Sequence, residues 1–322
     1  MNATIGTVYF LEIEQPADSK GLLKVVNPNT LSGWDWGFEF QELSGRSGLS
    51  NYATNTSSLF AHLADNWSSR VHTEWLLRQY LALKLIMAAS IQFGSADYAY
   101  NHNVQMAVPY LSYYGIFNAM RANLLTSPRQ IWGKRTLAVG HEKAREQYAS
   151  ELRLLLSADE VAEQEKIAID AKHGRELMSY RFPSSGTPGK GGFYVYRDKA
   201  EQFARLAAEL ALFNSCCLAA QVRDRFEPPV GWEEFCVNAD DLEAAWNHKL
   251  KGANGADVLF PDESDQYEIY RAAIRMDKPI PFTMLIGGGG VEDFFGSFVS
   301  TVDDDDEAFD PDEHWDRLLE LP

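Results

Sequence analysis

Apolar and polar positions change rhythm twice along this chain. Near the N-terminus they alternate. TIGTVYFLEIE, GLLKVV and WDWGFEFQEL are β-branched or aromatic runs, and a period of two predicts strands. Asn27-Pro28-Asn29 and Ser32-Gly33 punctuate them as turns, and SGRSGLSNYATNTSS reads as a linker. The expectation is an N-terminal β-containing element with its linker over 1–69.

From Arg70 the period becomes helical. RVHTEWLLRQYLALKLIMAASIQF is apolar on most faces, as a helix at the centre of a bundle should be. VPYLSYYGIFNAMRANLL follows, with Pro109 near its start, where a missing N–H costs little, and Ser127-Pro128 just beyond its end. Ala144, Tyr148, Leu152 and Leu155 make a stripe on the next segment. Ser157 with Glu160 forms a capping box, and Asp198 with Glu201 repeats that signal before a long Ala- and Leu-rich helix. The helical region covers 70–226, interrupted by the Gly-rich RFPSSGTPGKGG.

Beyond Glu227 the pattern is mixed. NADDLEAAWNHKL is helical, DQYEIYRAAIRM is compatible with helix or strand, PIPFTMLIGGGG reads as a strand entering a flexible turn, and VEDFFGSFVS as a short helix. The predicted architecture is a mainly α protein: a helical bundle, an N-terminal β-containing element, and an acidic α+β region over 227–322.

Charge sharpens this division. The 322 residues carry 29 basic and 46 acidic side chains, a net of −17. Residues 1–231 hold 23 of each sign, whereas 291–322 hold 12 acids and the single cation Arg317. Nucleic-acid binding needs cations against phosphates, and the neutral part can still supply them. Between Arg121 and Arg153 there are seven basic and three acidic residues. Arg121, Arg129, Trp132, Lys134, Lys143 and Arg145 therefore form a candidate binding region for RNA or another single-stranded nucleic acid, which uses cations and aromatic platforms. A solvated basic face, or a docking surface for the protein's own C-terminus, is the competing reading.

The tail DDDDEAFDPDEHWDRLLELP is the second candidate. Asp303, Asp304, Asp305 and Asp306 precede Phe309 and Trp315, and apolar anchors among acids suit a segment that docks rather than a plain linker. Its expected partners are the basic 121–153 region, a basic protein, or a site that otherwise takes nucleic acid.

VPYLSYYGIFNAMRANLLTSP resembles the second helix of the HEPN superfamily, through Tyr113, Tyr114, Phe117, Arg121 and Ala122. RELMSYRF (Arg175, Tyr180) and KAEQFARLAAELALF are similar to that family's later segments. Tyr114-Gly115, and Gly140-His141 followed by Lys143 and Arg145, also resemble uncharacterised YaaC-like bacterial proteins. The resemblance covers about a third of the chain, residues 105–225. It implies a HEPN-like bundle and a place in prokaryotic stress or phage-defence systems. It also implies metal-independent RNA cleavage through an Arg–His motif, which Arg135 and His141 match in spacing. The match departs from the family pattern, because it lies between the second and third helices rather than close to the last.

Other chemistry is thinly represented. SSGTPGKGG fails as a phosphate-binding loop because Ser184 and Gly191 occupy two obligatory positions. Seven histidines without metal-ligand spacing, and no C-x-x-C, predict no metal and no cofactor. Three cysteines, a start lacking a basic-then-apolar signal, and Lys84, Arg205, Glu209 and Asn214 interrupting the apolar runs predict a cytoplasmic setting without a membrane. Three functions stay open. One is a non-catalytic HEPN-like binding or assembly protein, partnered by another protein or a second copy. The second is a ribonuclease using Arg135 and His141 with the tail as a removable lid. The third is an acidic protein whose C-terminus mimics nucleic acid. The first is preferred, because the Arg–His spacing is displaced and nothing else catalytic is present.

Overall fold

The computed structural model describes residues 40–132, 139–181, 184, 192–231, 250–251, 257–258, 263–285, 288–299 and 308–319. Within them the protein is mainly helical. The order is α1 (Leu49–Ala64), α2 (Ser69–Asn101), α3 (Val108–Thr126), α4 (His141–Leu152), α5 (Ala158–Glu176) with a π-helical turn (Leu177–Arg181), and α6 (Gly192–Arg225). After a two-residue antiparallel pair, β1 (Leu250–Lys251) with β2 (Asp257–Val258), come α7 (Glu263–Arg275) and α8 (Gly288–Gly296). Short 3-10 turns occur at Phe282–Met284 and Pro311–His314.

The expected N-terminal strands lie outside the described residues, except that 41–45 form turns rather than strand. The linker expectation is overturned: SGRSGLSNYATNTSS runs into α1. Tyr52, Ala53, Thr56, Phe60 and Ala64 recur at helical spacing and are buried. The outer face is Ser, Thr and Asn whose side chains bond back along the helix, Thr54 Oγ1 to the Ser50 carbonyl and Asn55 Nδ2 to that of Asn51. Loop composition here marks only the solvated side of a helix. Two further readings change. PIPFTMLI contains a 3-10 turn instead of a strand, and Gly288–Gly290 open α8 instead of a flexible turn. α6 begins at Gly192, ahead of the Asp198/Glu201 start signal.

α3 and α6 organise the bundle. α3 packs against α2, α4, α5 and α6; α6 packs against α1, α2, α3 and α5. Gly115 lets α2 and α3 approach, since a Cβ there would lie 2.6 Å from the Phe93 ring. Length and composition alone would let Arg197–Arg225 cross a membrane, and its apolar window is 94% buried against neighbouring helices. One buried cluster joins Phe213 and Leu77 to Ile269, Phe282, Phe295, Leu318 and Leu319, so the C-terminal elements share the core of the bundle.

Polar residues inside this core tie elements together. The buried Glu209 carboxylate accepts the backbone N–H groups of Gln41, Glu42 and Leu43 at 2.7–3.1 Å. Tyr52 Oη donates to Asn214 Oδ1 (2.9 Å), and Ser215 Oγ accepts the Phe282 N–H (2.8 Å). Lys84 and Tyr80 both reach Asp265 on α7. Arg78, 2% exposed, meets the Ser127 and Gln130 carbonyls and Glu74, and stacks 4.4 Å from Trp75.

Glu209→Ala leaves three backbone donors without their acceptor and should cost about 3 kcal/mol in chemical denaturation. Glu209→Gln, which keeps an acceptor oxygen, should cost less than half as much. The second expectation concerns pH. His72 is buried on α2 with Nε2 3.0 Å from the Met276 carbonyl, and burial lowers its pKa to about 4. A depressed histidine pKa means the folded state binds fewer protons than the unfolded chain. Stability is thus complete above the ordinary value and falls with pH through the interval down to the folded one. Unfolding free energy should drop by about 2 kcal/mol between pH 7.5 and pH 5 through this group. That part of the slope should vanish in His72→Gln, and an unchanged slope would refute the assignment.

Candidate functional site

The basic stretch does not stay together as one surface. Lys134 and Arg135 lie outside the described residues, so the Arg135–His141 pair cannot be placed. Arg129 turns inward, pairs with the buried Glu151 (3.1 Å) and lies 5.4 Å from the Tyr52 ring. Trp132 packs on the core beside Arg78 (5.5 Å). Arg145 pairs with Glu142 (2.9 Å) and Glu165 (3.6 Å), while Lys143 is exposed near Glu146.

Arg121 and His141 belong to a different constellation, built where α3, α4 and α5 meet. Tyr110, Tyr113, Tyr114, Phe117 and Arg121 share one face of α3 by their spacing. His141 is the first residue of α4, and its N-cap, Gly140, contributes no side-chain cap. α5 adds Lys172 and Arg175, one helical step apart. Tyr113 Oη and His141 Nδ1 are hydrogen-bonded at 2.8 Å, and the imidazole lies 4.1 Å from the Phe117 ring centre. The Arg175 guanidinium sits 4.8 Å from the Tyr113 ring, donates to Tyr114 Oη (3.4 Å) and pairs with Glu176 (3.5 Å). Arg121 lies over Phe117 at 5.5 Å.

The electrostatics follow from this crowding. Burial lowers the His141 pKa, and Arg175, Lys172 and Arg121 push it the same way while Glu142 opposes them. Burial pushes the Tyr113 phenol up to about 12. Hydrogen bonds from Lys172 and Arg145 hold Glu142 down to about 2. Near neutral pH the core of the site is therefore a neutral imidazole and a neutral phenol beside Arg121, Lys172 and Arg175, the last two sharing Glu142 and Glu176 as counter-charges, at a helix N-terminus that carries Glu142 in its first turn. Such a setting favours an anion. With Nδ1 accepting from Tyr113, Nε2–H is a donor; with Nδ1 donating, Nε2 is a base.

A reading of the sequence pairs His141 with Arg135 and separately groups Arg121 with Arg129 and Trp132. It missed Lys172 as a site residue and used Arg175 only as a mark of resemblance. The available signal was their spacing on α5, which puts both on one face. Among the described residues no group of His, Cys, Asp and Glu side chains is arranged to hold a metal ion.

The described part of the tail, 308–319, packs on α2 and α6. Asp303–Asp306 lie outside the described residues. Phe309 packs at 5.7 Å from Tyr98 of α2 and stacks on His314 (5.5 Å). A Cβ on Gly94 would lie 2.1 Å from the His314 ring, so glycine makes room for it. Arg317 bonds Asp97 of α2 (2.5 Å) and Glu201 of α6 (2.7 Å), and Leu318 and Leu319 are buried. Trp315 remains 41% exposed. The described tail thus rests on α2 and α6, held by its one cation against acids, and not on the 121–153 stretch. Comparison with family models, curated proteins and solved structures finds no match.

Arg317→Met removes both contacts and should cost about 1–3 kcal/mol, since each is a hydrogen bond between charged groups. Hydrogen exchange should show residues 308–319 losing protection while α2 and α6 keep theirs. Undiminished tail protection would mean that Leu318 and Leu319 suffice.

Proposed function

We propose that this protein is a binding or assembly protein, built on a HEPN-like bundle, that holds a phosphate-bearing ligand such as single-stranded RNA where α3, α4 and α5 meet. The observation that carries the reading is the meeting of Arg175, Lys172 and Arg121 around the neutral His141, with Tyr113 fixing the ring. Tyr110 and Tyr180 are exposed beside Arg175, at 47% and 76%, and supply faces on which bases stack. The resemblance of α3 to the second HEPN helix, and a place in a prokaryotic stress or defence system, belong to the same proposal.

A second reading has one specific observation in its favour. Metal-independent phosphodiester cleavage needs a cation for the phosphate and an imidazole to move a proton. Among the described residues, which do not include Arg135, Arg175 stands beside His141 across the Tyr113 ring. Cleavage would then use Arg175 and His141, with Nδ1 of His141 donating to Tyr113 so that Nε2 is basic.

One experiment separates these readings. Fluorescence anisotropy of single-stranded RNA with the full chain should show binding that weakens about ten- to a hundredfold in Arg175→Ala, as loss of one charge-assisted contact implies. The salt slope should fall by roughly one in the same variant. Because His141 titrates below its ordinary range, binding should tighten as pH is lowered from 7.5 toward 5.5, and His141→Gln should remove that pH dependence. Absent binding, or binding indifferent to Arg175, defeats the proposal. RNA turnover in the presence of a chelator, lost in both His141→Gln and Arg175→Ala, would replace it with the ribonuclease reading.

A further inference from the structure

On the other side of α5, between α3 and α6, lies a cavity of about 510 Å³ that the proposed phosphate site does not use. Cavities of a few hundred Å³ with apolar walls and a few polar groups are of the size that holds small organic ligands. Its walls include Pro109, Ile167, Ala171, Gly174, Leu177 and Ala200.

Three polar features point to a ligand. Ser112 lines the cavity, is 5% exposed, and its hydroxyl has no hydrogen-bond partner among the described residues. A buried hydroxyl without a partner is costly, and a ligand oxygen can satisfy it. The rim carboxylates are already engaged: Asp170 pairs with Lys166 (2.5 Å), and Glu176 with Arg175 (3.5 Å) and Lys172 (3.8 Å). Arg181, also on the rim, makes no ion pair among the described residues, which leaves the rim its positive charge. The turn that carries it, Leu177–Arg181, is π-helical, a rare geometry frequent at functional sites.

We propose that this cavity binds a small amphipathic anion, an alkyl chain with a carboxylate or phosphate head. The chain lies along Pro109, Ile167, Ala171 and Leu177, the head meets Arg181, and Ser112 donates to a ligand oxygen. Electrostatics select the anion, because the carboxylates at the rim have their own cations.

Titration calorimetry on the full chain tests this with decanoate, decyl phosphate and decyltrimethylammonium, each below its micelle concentration. Saturable one-site binding of either anion is expected, and the tighter of the two identifies the head group. Arg181→Gln should weaken it roughly tenfold, as loss of one charge-assisted contact does. Ala171→Phe should abolish it with an unchanged circular dichroism spectrum. Should that variant misfold, the exposed Arg181→Gln decides. No saturable binding of either anion, binding indifferent to Arg181→Gln, or decyltrimethylammonium binding as tightly as the anions would each overturn the assignment.

Discussion

A buried carboxylate accepting three backbone N–H groups is the contact on which the rest of this fold depends. Glu209 sits inside α6, the most deeply enclosed helix, and burial raises its pKa against the pull of the Gln41, Glu42 and Leu43 donors. An isolated buried acid would be prohibitive; one with its oxygens filled fixes where a chain segment must lie. Asn214 and Ser215, further along the same helix, do the same for α1 and for the Phe282 turn. α6 therefore reads as an apolar rod carrying a few addressed polar groups. α2 repeats the device with Lys84, which addresses α7.

That arrangement determines which surfaces meet. With α6 enclosed, α3 becomes the helix shared by α2, α4 and α5, and residues far apart in sequence arrive at its outer face. Tyr113, His141 and Arg175 come from three helices and touch. The tyrosine ring is the common element, bonded at its hydroxyl to the imidazole and covered on its face by the guanidinium. Glu142 balances part of the charge by bonding Lys172 and Arg145. It leaves Arg175 to its tyrosines and Glu176. α5 turns its 172–175 side to this cluster and its 167–171–174 side to the cavity, so a single helix borders both places.

Much of the bundle was legible. Long periods of 3.6, Pro109, Ser127-Pro128 and the Ser157–Glu160 capping box located α2 to α5, and the capping box forms as expected, with Ser157 Oγ accepting the Glu160 N–H (3.4 Å) and Glu160 Oε2 accepting the Ser157 N–H (2.9 Å). α1 was not legible because its polar face carries turn-forming residues, and tertiary burial of Tyr52 and Phe60 outweighs their weak propensity. Pairing was legible least. Lys84, Glu209 and Asn214 read only as interruptions of apolar runs, and their role depends on partners 160 residues or more away. Arg175 escaped for the same reason, since nothing in its own segment indicates that Tyr113 lies above it.

Arg317 carries the last step, which concerns how net charge should be used. A segment with twelve acids and one cation would be assigned to a basic surface on sign alone. Its described residues 308–319 instead bring Arg317 onto Asp97 and Glu201, and a partly buried contact at hydrogen-bond distance acts in a low dielectric. Exposed acids are screened within about 8 Å at physiological salt. The same asymmetry applies to the His141 cluster. A formal charge of −17 describes the far field of the molecule. What acts at contact beside His141 is set by Arg175, Lys172 and Arg121, at the short range where screening is least effective.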